Sequence, residues 1–147
     1  MTIKSYSAIN TIEQTKGNDM KILLVEDYDV FRRILKTMLE SRGYEIVEAA
    51  DKGSACRIIQ ESIQEIDLIL SDCDLPAPDE GLEVIAFAQD IIDFFGYKNI
   101  PMILMSGRDR QTEAETVGVE FLLKPFDLKK LESTIQLATI RAELTHA

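Results

Sequence analysis

A chain of 147 residues, 46% hydrophobic and 29% charged, suffices for one α/β core and leaves no room for a second domain of ordinary size. A formal net charge of -10 argues against holding nucleic acid directly, because phosphates need a basic face, and charges break every apolar run before a bilayer is spanned. The acidity suits a cation site, or plain solubility.

Residues 1–19 are polar and aperiodic. Lys4 and Lys16 balance Glu13 and Asp19, so the whole net charge falls on 20–147. The sequence predicts a flexible N-terminal tail or linker over 1–19, with room for a short helix at Ile9 to Gln14, and one domain over 20–147. The start lacks the basic and apolar regions of a secretion signal, so a cytoplasmic protein is expected, with Cys56 and Cys73 as free thiols.

From Met20 short apolar runs alternate with amphipathic segments, as in a parallel sheet covered on both faces. Strands are predicted at Lys21 to Val25, Glu45 to Val47, Asp67 to Leu70, Ile100 to Met105 and Val119 to Leu123. Helices are predicted at Val30 to Ser41, Asp51 to Gln64, Leu82 to Phe95, Thr112 to Thr116 and Leu128 to Glu143. Gly43 closes the first helix, Asp51 caps the second, Thr112 and Glu115 can form a capping box, and Gly118 ends the short fourth helix. The stripe of Leu82, Ile85, Phe87, Ile91, Ile92 and Phe95 is expected to pack on the sheet. The single histidine, His146, is expected to be inert.

Ligands of open parallel sheets sit outside the carboxyl ends of the strands. Those ends deliver Glu26 and Asp27, then Asp72 and Asp74, then Ser106, then Lys124. Two carboxylates about 5 Å apart repel by roughly 3 kcal/mol at an effective dielectric near 20, so a cation must offset them. Hard oxygen donors suit Mg²⁺, which favours one or two carboxylates, water and a phosphate. A carboxylate there can act as nucleophile and carry a phosphoryl group, with Ser106 and Lys124 bonding its oxygens. Taken singly, each residue has a plainer reading: Asp27 or Asp74 as helix caps, Ser106 as a turn residue, Lys124 as a solvated lysine, Phe121 as core.

The segments Leu23-Leu24-Val25-Glu26-Asp27, Leu70-Ser71-Asp72-Cys73-Asp74-Leu75-Pro76, Met105-Ser106-Gly107 and Phe121-Leu122-Leu123-Lys124-Pro125-Phe126 resemble the response regulator receiver family, in the family's order. The resemblance runs from about Met20 to Glu143. It implies a flavodoxin-like (CheY-like), doubly wound five-stranded parallel sheet of order 2-1-3-4-5. It implies phosphorylation of Asp72, Mg²⁺ ligation by Asp27, Asp72 and the backbone carbonyl of Asp74, and an outer-shell place for Glu26. Ser106, Lys124 and Phe121 become the phosphoryl-binding and switch residues, and Lys124-Pro125 a cis bond.

The implied activity is that of a two-component phosphorelay switch rather than a turnover enzyme, catalysing only its own phosphotransfer and dephosphorylation. Its partners would be a sensor histidine kinase or histidine phosphotransfer protein and an unknown downstream protein, and no output domain is expected after the fifth helix. Two departures stand out. The loop from Pro76 to Gly81 is one residue longer than usual, so no residue is carried over beyond Pro76, and the stretch from Ser106 to Phe121 is about one helical turn short. Two rivals remain. Asp72-Cys73-Asp74 also resembles the nucleophile loop of haloacid-dehalogenase-type phosphatases, although Glu26 and Asp27 come before it; and a degenerate receiver could dock without phosphorylation.

Overall fold

The computed structural model describes residues 19–145. The predicted tail, apart from Asp19, and His146 lie outside that range. In chain order the elements are β1 (Lys21–Val25), α1 (Asp29–Glu40), β2 (Glu45–Ala49), α2 (Lys52–Ser62) with a 3₁₀ turn (Ile63–Glu65), β3 (Leu68–Asp72), α3 (Glu80–Phe95), β4 (Met102–Ser106), α4 (Gln111–Thr116), β5 (Glu120–Leu123) and α5 (Leu128–Thr145). All strand pairs are parallel and the order is β2-β1-β3-β4-β5. This is the predicted flavodoxin-like topology.

Successive side chains of a strand point to opposite faces, so a sheet covered on both sides needs uninterrupted apolar runs. Leu23, Val25, Ile69 and Leu104 meet α2, α3 and α4 through Ala55, Ile59, Val84, Ile85, Ala88 and Ala114. On the other face Ile22, Leu24, Leu68, Leu70, Ile103 and Met105 meet Leu35 and Leu39 of α1 and Leu131, Ile135 and Ala138 of α5.

Several boundaries moved for identifiable reasons. β3 starts later than expected and runs on to Asp72, pairing it with Met105, so the acid closes the strand instead of following it. β4 starts at Met102, because Pro101 has no N–H to give a ladder, although its carbonyl still accepts from Ile69. Asp51 does cap α2, accepting from the Ser54 N–H at 2.7 Å. The expected Thr112–Glu115 capping box is not formed. Asp109 takes the Gln111 N–H at 3.0 Å and starts the helix one residue earlier, which leaves Thr112 inside it with its carbonyl accepting from the Thr116 hydroxyl. Gly118 ends α4 at φ 74, where a β-carbon is disfavoured.

The stripe on α3 packs as expected except at its end. Phe95 is 55% exposed, with its ring stacked on Tyr97. A helix of 16 residues spans about 24 Å and a strand of five about 17 Å, so the last turn overhangs the sheet.

Candidate functional site

The carboxyl ends of β1, β3, β4 and β5 form one rim, and their parallel register delivers each polar side chain to it. The Glu26 N–H extends the β1–β2 ladder by bonding the Ala49 carbonyl at 3.1 Å, which fixes where Glu26 and Asp27 leave the sheet. Lys124 is anchored the same way, its N–H donating to the Ser106 carbonyl at 2.7 Å.

Lys124 is the hub. Its Nζ donates to Glu26 Oε1 at 2.7 Å and to Asp72 Oδ2 at 2.9 Å, and lies 4.5 Å from the centroid of the Phe31 ring. Burial alone would lower the Lys124 pKa; the bonds to Glu26 and Asp72 outweigh it and hold the ammonium above its ordinary value. Glu26 is 1% exposed. Burial pushes its carboxyl up to about 7, against the pull of the Lys124 bond. Glu26 Oε2 accepts from the Tyr28 N–H at 3.1 Å, and its backbone carbonyl takes a 2.7 Å bond from Arg32. Lys124 thus keeps its charge beside two acids, and Glu26 is the acid that burial makes easier to protonate.

Oxygens of Glu26, Asp27 and Asp72 lie within 4.8 Å of one another. One ammonium faces three acids, of which Glu26 is the one that burial favours in its neutral form, and Asp27, exposed at the rim, enters no salt bridge among the described residues. An all-oxygen donor set open to water on one side can hold a divalent metal ion.

The side chains of the remaining predicted residues make contacts of their own outside this cluster. Ser106 is buried, and its hydroxyl accepts the Arg108 N–H at 3.1 Å, so here it serves its own turn. Asp74 directs its carboxylate into its own loop, where Oδ1 accepts from the Asp79 N–H at 3.0 Å. Among the described residues no backbone N–H bonds the Asp74 carbonyl. Phe121, on β5, is half-buried against the α2–α4 side of the core. Asp27 caps no helix, since α1 begins after Tyr28. Lys124-Pro125 is cis as expected, and so is Leu75-Pro76.

Sequence reasoning missed three residues. Phe31 supplies the ring against which Lys124 rests, an unremarkable apolar residue of α1 until the fold brings them together. Gly81 packs on the Asp72 backbone itself: a β-carbon there would sit 1.7 Å from the Asp72 carbonyl oxygen, and its N–H bonds the Cys73 carbonyl at 2.8 Å. The glycine was visible in the sequence, but the lengthened loop obscured its register. Arg110, 8% exposed, joins the loops after β3 and β4 through Asp74 and Asp79.

A cavity of about 410 Å³, lined in part by Met20, Ile66, Tyr97 and Pro101, opens at the opposite end of the sheet and has no part in this cluster. Among the described residues no helix is long and apolar enough to cross a membrane.

The family described as the response regulator receiver domain matches residues 22–136. A probable transcriptional regulator, ycf27 of Cyanophora paradoxa, is 35% identical over 130 residues, which is 86% of this chain and 51% of that protein. The two-component response regulator-like APRR3 of Arabidopsis thaliana is 31% identical over 121 residues, 80% of this chain and 24% of that protein. Among solved structures, a response regulator receiver domain protein from Clostridium thermocellum superposes with a TM-score of 0.72 at 25% identity, covering 86% of this chain and 98% of that one.

The rim of converging acids and one lysine is thus the phosphoacceptor end of a CheY-like fold, and the chain belongs to the response regulator receiver domain family. It spans between about a quarter and a half of the length of these curated relatives.

Proposed function

We propose that the chain is a phosphoacceptor switch in which Asp72 takes a phosphoryl group from a phosphohistidine on a sensor histidine kinase or phosphotransfer protein. The observation that carries this reading is Lys124 Nζ, held between Asp72 and Glu26 with the Asp27 carboxylate alongside. An Asp72 carboxylate oxygen attacks phosphorus, the P–N bond to the histidine breaks, and the bond's electron pair leaves with the imidazole; water later cleaves the acyl phosphate. Asp27, Asp72 and the Asp74 carbonyl would hold Mg²⁺, with Glu26 in the outer shell, and the ion would neutralise charge gathering on the phosphoryl oxygens. Lys124 pairs with one phosphoryl oxygen. Ser106 gives up the Arg108 N–H and donates its hydroxyl to another.

The signal is a population shift in which the Ser106 loop moves toward the phosphoryl group and Phe121 turns inward, altering the surface offered to a downstream protein. The receiver unit is assigned to residues 20–147, working in the cytoplasm where such a donor and two free thiols belong. Position separates this reading from the phosphatase one, since Asp72 closes β3 and Glu26 and Asp27 follow β1.

Incubation with Mg²⁺ and acetyl phosphate, followed by intact mass measurement, tests the assignment. One added phosphoryl group is expected, dependent on the metal and absent from Asp72→Asn. An adduct that persists in that variant overturns it.

A further inference from the structure

Two loops flank the Asp72 site, one leaving β3 with Asp74 and one leaving β4 after Ser106, and the buried Arg110 ties them together, while the exposed Arg108 reaches the Asp74 carboxylate at 3.5 Å from the solvent side. Each guanidinium nitrogen of Arg110 faces a different carboxylate. Nε is 3.5 Å from Glu113, one terminal nitrogen is 3.4 Å from Asp74 Oδ1, and the other bonds Asp79 Oδ1. Burying a guanidinium is costly unless its donors are met, so this environment is built around the arginine. Asp79 stands at φ 67, a left-handed conformation unusual for a residue with a β-carbon, and is held there from two sides. Its N–H bonds Asp74 Oδ1, and its carboxylate bonds Arg110. The Asp74 side chain is therefore a pin through its own loop, and Arg110 fastens that pin to the loop after β4.

We propose that Arg110 is a positioning residue for the metal-binding end of the Asp72 site, acting through Asp74 and Asp79 to hold the loop whose Asp74 carbonyl is assigned to the ion. The proposal rests on the phosphoacceptor reading for the identity of the site, and on the buried contacts for the latch itself. Arg110 touches neither acceptor nor ion. Its effect is to reduce the number of conformations the β3–α3 loop must give up when an ion binds. Because the same arginine belongs to the β4–α4 loop, ordering one loop orders the other, and the two sites of motion are thermodynamically coupled.

The test measures Mn²⁺ binding by isothermal titration calorimetry on the full chain, as wild type, Arg110→Ala, Asp79→Asn and the double variant, with thermal melting to confirm folding. Arg110→Ala and Asp79→Asn are each expected to weaken Mn²⁺ about 5-fold to 20-fold, and the double variant no further than the weaker single one. Arg110→Lys should restore only part of the loss, since one ammonium cannot serve three carboxylates in a fixed fork. The rate of acyl phosphate formation at saturating metal should stay near wild type, and in the metal-free protein the Asp79 amide should exchange faster once the arginine is gone.

Unchanged Mn²⁺ affinity in Asp79→Asn, whose side chain is mostly exposed and whose loss the fold tolerates more readily than that of Arg110, overturns the proposal. So does strict additivity in the double variant. If wild type binds Mn²⁺ with the expected sensitivity but accepts no phosphoryl group, the latch stands and the phosphoacceptor reading falls; phosphorylation with a latch-independent affinity gives the reverse.

Discussion

Gly81 and Asp72 are in backbone contact: helix α3 approaches the end of β3 so closely that a methyl group on Gly81 would overlap the Asp72 carbonyl oxygen at 1.7 Å. The obstacle is main chain on a central strand, which cannot swing aside as a side chain would. Gly81→Ala must push the start of α3 away from β3. The expected cost is about 3 kcal/mol, the upper range for overpacking, read as a lower urea midpoint together with reduced phosphoryl acceptance. Gly53→Ala is the control. Its nearest neighbour is a carboxylate oxygen of Asp51 at 3.6 Å, so stability should hold or rise by about 0.5 kcal/mol.

Lys124→Met separates two roles of the ammonium. Without it Glu26 and Asp72 lose the one cation paired with them among the described residues, and the site becomes more negative. Divalent metal should bind more tightly, because Coulomb attraction grows with the unpaired charge. Phosphoryl acceptance should fall at least about tenfold, because one phosphoryl oxygen loses its partner. Calorimetric metal titration and acetyl phosphate labelling check both halves, and weaker metal binding would contradict the charge argument.

The Arg108 amide reports on Ser106. At rest it donates to the Ser106 hydroxyl at 3.1 Å. When beryllofluoride mimics the phosphoryl group, the hydroxyl should leave that bond, and the Arg108 amide proton should shift upfield in the NMR spectrum. Ser106→Ala should show the upfield position from the start and respond little to the mimic. A shift of equal size in both proteins would place the response elsewhere.

Stability should carry an alkaline signature from Tyr44. This phenol is 6% exposed, and burial raises its pKa above 10.0, with Glu132 adding to the effect and Arg42 opposing it. The sign follows from the order of ionisation. The unfolded phenol loses its proton first, so ionisation favours the unfolded chain as pH rises past 10.0, until the folded phenol ionises as well. Urea midpoints between pH 8 and pH 11, from about two units below to about one unit above an ordinary phenol's pKa, should fall more steeply for wild type than for Tyr44→Phe.

How much could be read in advance depended on whether a residue's role was local. Ile22 to Val25 and Ile69 to Leu70 announce buried strands because a sheet covered on both faces needs unbroken apolar runs. Glu26, Asp27, Asp72 and Lys124 could be grouped because strand ends in a parallel sheet share one rim, which is a property of the topology and not of the residues. Arg110 could not be found this way. Its partners Asp74 and Asp79 lie 36 and 31 residues away, and a charged residue in a loop has no periodicity to betray burial. The capping box at Thr112 failed for a related reason, since the neighbouring Asp109 offered the backbone a competing acceptor. The overhang of Phe95 follows from comparing element lengths, which sequence boundaries blurred by a residue or two do not permit.

Lys124 also sets the electrical balance sheet of the rim. Three acids face one ammonium, so acid outnumbers base at the rim, and a divalent cation would oppose that excess more strongly than a monovalent one. On the phosphoacceptor reading, converting the Asp72 carboxylate to an acyl phosphate would add roughly one further negative charge. On that reading the added charge would pull on whatever dipoles are free to turn, so the modification would supply its own force for reshaping the face the protein shows to others.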